Sequence, residues 1–164
     1  MGKKKRAISA KVLLMTISII LFLTGCFGTD EITGTSEISY IEMDSNVGCG
    51  SEHGDDKRED IFNKEFKNKW MSFMGQVGSI DGNELQISCD DNIMDDLTIE
   101  FKDKESIYNL KIGSYVKVKF VMRELGGCFS NYSSDNGEIL QKDISSMDFY
   151  NYYGKELAKY MKKL

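Results

Sequence analysis

Four side chains in one short stretch have the right types for chemistry: Cys49, His53, Asp55 and Asp56. A thiol and an imidazole four residues apart, followed by two carboxylates, are the ingredients of a transition-metal site. They also suit a pair in which the imidazole draws the proton from sulfur. A metal site needs further ligands at fixed spacing, but the chain has no Cys-x-x-Cys or His-x-x-x-His, and His53 is its only histidine. Gly-x-Ser-x-Gly and His-Glu-x-x-His are missing as well. The stretch therefore reads as a solvated polar loop, and no catalytic residue, metal or cofactor is assigned. A thiol or hydrolytic enzyme using Cys49 and His53 stands as the alternative function. A second acid cluster, Asp90, Asp91, Asp95 and Asp96, lacks the alternation of a calcium loop and reads as solvated too.

A fourth cysteine calls for different chemistry. Cys26 closes Leu23-Thr24-Gly25-Cys26, directly after an apolar run from Val12 to Leu23 in which Thr16 and Ser18 are the only polar residues. Lys3, Lys4, Lys5, Arg6 and Lys11 precede that run. Its 12 residues suit a signal h-region of roughly 7–15 and fall short of the about 20 of a spanning helix. The tetrad resembles the lipobox of bacterial lipoproteins. That resemblance implies a signal peptide over 1–25, a diacylglyceryl group and palmitate on Cys26, and a lipid-anchored protein facing outward from the cell membrane, or into the periplasm where the cell has two membranes. An uncleaved N-terminal anchor is the alternative. Two acyl chains at about 0.8 kcal/mol per buried CH₂ anchor stably. Cleavage before Cys26 leaves 139 of the 164 residues, enough for one core. Five of the 21 basic residues leave with the signal, so the charge falls from −5 to −10. That balance disfavours nucleic acid and anionic headgroups as partners.

With Cys26 acylated, Cys49, Cys89 and Cys128 remain, which allows at most one intramolecular bridge. Cys89 falls on an inward strand position. Cys49–Cys128 and Cys89–Cys128 are the expected pairings, with no bridge as the third outcome. From Phe27 to Asp56 the chain is acidic, has no Lys or Arg, and shows no apolar period. Residues 26–56 are therefore expected to form a flexible tether. Its one exception, Ile38 to Met43, could add a short edge strand.

The elements that would position any site begin near Lys57. Phe62, Phe66 and Trp70 recur at helical spacing. Short alternating strands follow: Met71–Val77, then Asp81-Gly82-Asn83 as a turn, and a strand pointing Leu85, Ile87 and Cys89 inward. Leu97, Ile99 and Phe101 mark the third strand, and a helical turn over 105–110 the connector. Val116, Val118 and Phe120 mark the fourth, a polar loop spans 125–137, and 138–144 is the fifth. Residues 149–164 are expected to form a helix with Tyr153, Leu157, Tyr160, Met161 and Leu164 on its apolar face. Phe149, Tyr150, Tyr152 and Tyr153 are expected mainly to pack this helix.

Five strands with the long connection between the third and fourth predict a mostly β, five-stranded OB-fold-like barrel with flanking helices over 57–148. A small β-sandwich is the alternative. Asn63, Phe66-Lys67-Asn68-Lys69, Met74-Gly75-Gln76-Val77-Gly78-Ser79-Ile80 and Leu110-Lys111-Ile112-Gly113-Ser114-Tyr115-Val116-Lys117-Val118 resemble the extracytoplasmic OB-fold family called tRNA-anticodon-binding-like, over about 60–144. The departures are the Trp-Met-Ser-Phe start of the first strand and the long 126–137 loop. The barrel reading leads to a binding module whose expected ligand face is the outer side of strands two and three: Glu84, Gln86, Ser88, Thr98 and Glu100. That face offers neither cations nor rings, so an extracytoplasmic protein, peptide or glycan is the expected partner and nucleic acid is not.

Overall fold

The computed structural model describes residues 31–90 and 94–163. The expected signal peptide over 1–25, the expected lipidation site Cys26, and Asp91 lie outside the described residues. Among the described residues no helix is long and apolar enough to cross a membrane.

The alternation read from the sequence becomes five strands that pair in a closed ring. They are β2 (Lys69–Asp81), β3 (Glu84–Ser88), β4 (Leu97–Glu100), β5 (Tyr115–Glu124) and β6 (Tyr132–Ile144). A two-residue β1 (Gly34–Thr35) pairs parallel with β2, making a six-stranded mixed sheet. The ring runs β2-β3-β4-β6-β5 and back to β2; every pairing within it is antiparallel except β4 with β6. It closes because β2 is long enough to serve two partners, β5 through Trp70–Gln76 and β3 through Gln76–Asp81. Gly75 lies at the changeover, where a Cβ would come within 2.6 Å of the Ser88 carbonyl oxygen, and the register slips between Val77 and Ser79. Phe73, Leu85, Ile87, Leu97, Ile99, Val118 and Phe120 are buried in the core, each worth about 1.5–3 kcal/mol.

The sheet corrects the strand bounds. β2 extends past both ends of 71–77, and β6 starts at Tyr132, six residues before 138. Serine hides the alternation there: Ser134 is buried and its hydroxyl donates to the Thr98 carbonyl at 3.0 Å. The expected connector helix shrinks to one 3₁₀ turn, Lys104–Ser106.

The largest correction concerns the tether. Residues from Ile32 onward belong to one compact unit, and Tyr40–Val47 form helix α1 where an edge strand was expected. Ser39 caps it, accepting from the Glu42 N–H at 3.3 Å, and Tyr40, Met43 and Val47 at i, i+3 and i+7 are buried. The chain is tied in even earlier, where the Thr33 N–H donates to the Asn68 carbonyl at 2.8 Å.

Helix α2 (Asp55–Glu65) buries Phe62, with Phe66 just past its end, and Trp70 falls in β2. Between them Asn68 takes φ 61°, a conformation asparagine tolerates better than most residues. Arg123 holds it, donating to Asn68 Oδ1 at 2.7 Å while bridging Asp135 at 2.8 Å. Helix α3 (Ser146–Met161) is capped by Ser145 and anchored by Phe149, which stacks on Tyr115 at 4.7 Å. Its expected apolar face is not the buried one: Leu157 is 39% and Met161 60% exposed. The helix is fixed instead by its first turns and, beyond its end, by Lys163 paired with Glu42 of α1 at 2.7 Å.

Candidate functional site

The structure does not assemble the Cys49/His53 constellation. Cys49 is bonded to Cys128, with 4.9 Å between their Cα atoms, while Cys89 is free and buried. Asp55 pairs with Arg58 at 3.0 Å, and Arg58 Nε donates to the Val47 carbonyl at the end of α1 at 2.8 Å. No cluster of three metal-ligating side chains occurs among the described residues.

The expected ligand face is partly assembled. Register places Glu84 opposite Glu100 and Gln86 opposite Thr98, so these four do share the outer face of β3 and β4. Ser88 does not join them: it is 5% exposed, because β3 there passes close against Gly75 of β2. Two glutamates directly opposite repel each other, and Asn83 and Asn131 already donate to Glu100 and Thr98. The nearest cavity, about 190 Å³, lies beside Glu100 against Phe101, Lys102 and Asp135.

Two larger clefts lie elsewhere. The first, about 520 Å³, forms where residues 126–131, between β5 and β6, meet residues that follow β3 and the end of α1. Asp44, Asp90, Asp95 and Asp96 line it, together with the disulfide, Tyr40 and Tyr132. Its acids are not the solvated cluster expected from sequence. Asp96 turns inward, accepting from the Cys89 N–H at 2.6 Å and from the Tyr40 hydroxyl. Burial, with Asp90 and Asp44 nearby, pushes its carboxyl up to about 6. Burial likewise raises Asp44, although Tyr132 donates to it at 2.8 Å and holds its charged form. Both tyrosines are raised, first by burial and then by these acids, so they stay neutral donors. At the mouth Phe129 is 98% exposed on the loop that Cys128 pins.

The second cleft, about 330 Å³, lies between the outer face of β2 and β5, helix α3 and residues 35–39. Strand alternation sends Trp70 and Ser72 outward beside Lys117 and Lys119, and Ser72 stands opposite Lys119 in register. The Lys119 ammonium lies 4.5 Å from the Trp70 ring centre. Tyr152 contributes a hydroxyl that burial, then Glu156, pushes up to about 12.

Sequence reasoning missed both clefts. The first needed α1, whose signal was the Ser39-x-x-Glu42 capping box. The second needed the closing pair of β2 with β5, which joins residues about 45 apart and leaves no local trace. Compared with known families and with curated proteins, the chain matches no family model and no curated protein.

Proposed function

We propose that this chain is a lipid-anchored extracytoplasmic binding module whose five-strand ring is an OB-fold barrel, and that it takes a basic peptide segment into the acid cleft. The ring order supports the barrel: the first strand is shared by two partners, and the third and fifth run parallel. The lipobox and the Cys49–Cys128 bridge are both at home in an oxidising, exported setting. One observation carries the choice of site. Phe129 stands almost fully exposed on a disulfide-pinned loop at the mouth of a cleft walled by four carboxylates. An exposed aromatic at the rim and acid within match an apolar side chain next to Lys or Arg.

Two measurements test this reading. Labelled palmitate should enter the wild-type protein in its native host, and Cys26→Ala should take up none. In anisotropy titrations of the purified full-length protein, a fluorescent Lys-Phe repeat peptide should bind. Salt should weaken that binding, and Phe129→Ala should weaken it about tenfold. Equal binding of a Glu-Phe repeat, or none by either peptide, defeats the choice of ligand.

A further inference from the structure

The cleft on β2 and β5 has a chemistry opposite to the one above, and the two lysines on its strand wall are without a carboxylate partner among the described residues. Among the described residues neither Lys117 nor Lys119 is paired with a carboxylate, whereas Lys159, on the α3 side, already meets Glu156 at 3.6 Å. Glu37 also lines the cleft, from the exposed segment before α1. Beneath them the Ser72 hydroxyl is closed off from solvent with no hydrogen-bond partner, a state that is costly and rare in folded proteins. The strand wall therefore presents two lysine cations beside an aromatic ring and carries no carboxylate of its own.

We propose that this cleft binds a small sugar-sized molecule bearing an oxyanion, a carboxylate or a phosphate. Its anionic group lies between Lys117 and Lys119, and its ring lies against Trp70. A volume of about 330 Å³ suits a single monosaccharide unit and is too small for a folded partner. Tryptophan favours the C–H face of a sugar for the same reason it favours other weakly polar surfaces: a large apolar area with one donor at its edge. Register fixes the spacing of the cations, because Lys117 and Lys119 alternate on one strand and both face outward. This site is independent of the peptide reading, since it shares no carboxylate and no loop with the acid cleft.

Trp70 is the only tryptophan in the chain, so intrinsic tryptophan emission reports this cleft alone. The full-length protein in detergent is titrated with glucuronate, glucose 6-phosphate and glucose. Saturable quenching or a spectral shift with glucuronate or glucose 6-phosphate, and not with glucose, is expected; which of the two binds more tightly identifies the anion. Lys117→Gln and Lys119→Gln should each weaken binding about tenfold or more. Lys155→Gln, an exposed charge on α3 outside the cleft, should leave it unchanged. No saturable response to either anion, an equal response to glucose, or equal weakening by Lys155→Gln overturns the proposal. Thermal melts of each variant show that it is folded before it is titrated.

Discussion

The two clefts hold their side chains by different means. In the acid cleft the backbone is irregular, so its shape rests on a disulfide, on the Cys89 N–H to Asp96 bond and on Tyr132 donating to Asp44. In the basic cleft Trp70, Ser72, Lys117 and Lys119 take their spacing from an unbroken antiparallel register. The first arrangement permits buried, protonatable acids and pays in local stability; the second is as firm as the ladder beneath it. Helix α1 joins them, since Ser39 lines the basic cleft while Tyr40 and Asp44 line the acid one.

The sharpest way to break this contrast is to cut the bridge. Cys49 and Cys128 are 79 residues apart, and chain-entropy arithmetic for a loop of that size gives about 4.5 kcal/mol. Cys128→Ser should lower the melting temperature by about 15 °C while leaving native Trp70 emission unaltered. An equal change in emission would mean that the clefts are not independent.

A pH series comes next. Asp96 holds its proton more tightly when folded, so its contribution is fully present below the ordinary carboxylate range and is lost as pH rises through about 6. Asp44 acts in the same direction. Melts should therefore show higher stability at mildly acid pH than at neutrality, by up to about 3 kcal/mol from Asp96. Asp96→Asn, which keeps an acceptor for the Cys89 N–H, should flatten most of that slope. A flat wild-type profile would show that Asp96 is solvated after all.

Smaller effects separate the shared helix from the ladder. Ser39→Ala removes the cap of α1 and should cost about 1 kcal/mol in chemical denaturation. Ser72→Ala deletes a hydroxyl that bonds to nothing in the described protein, so stability should stay level or rise by up to about 1 kcal/mol. A clear loss on Ser72→Ala would point to a hydrogen bond inside the ligand-free cleft.

How much of this was legible follows from range. Leu85/Ile87, Leu97/Ile99 and Val116/Val118 alternate within single strands, and each of these residues is buried. Phe62 and Phe66 gave a local helical period, and the turn at Asp81-Gly82-Asn83 has its glycine at φ 60°. Helix α1 was local too, yet eight residues of mixed polarity in an acidic run outweighed one capping box. The β2–β5 pairing and the bridge are long-range, so the sequence could offer only candidates for the second and nothing for the first. Cations were sought on β3 and β4, whereas closure of the ring gathers them on β5.

Cys89 is the one described cysteine outside the bridge, and the core covers it. While the chain is open, three thiols allow three pairings, two of which consume Cys89. Burial then withdraws that thiol from exchange, and raises its pKa far enough to keep it unreactive. A maleimide reaches it only in molecules whose core has opened over it. The rate at which the native protein is labelled at Cys89 is therefore a clock for opening of the core where β3 ends, read without denaturant and away from the basic cleft.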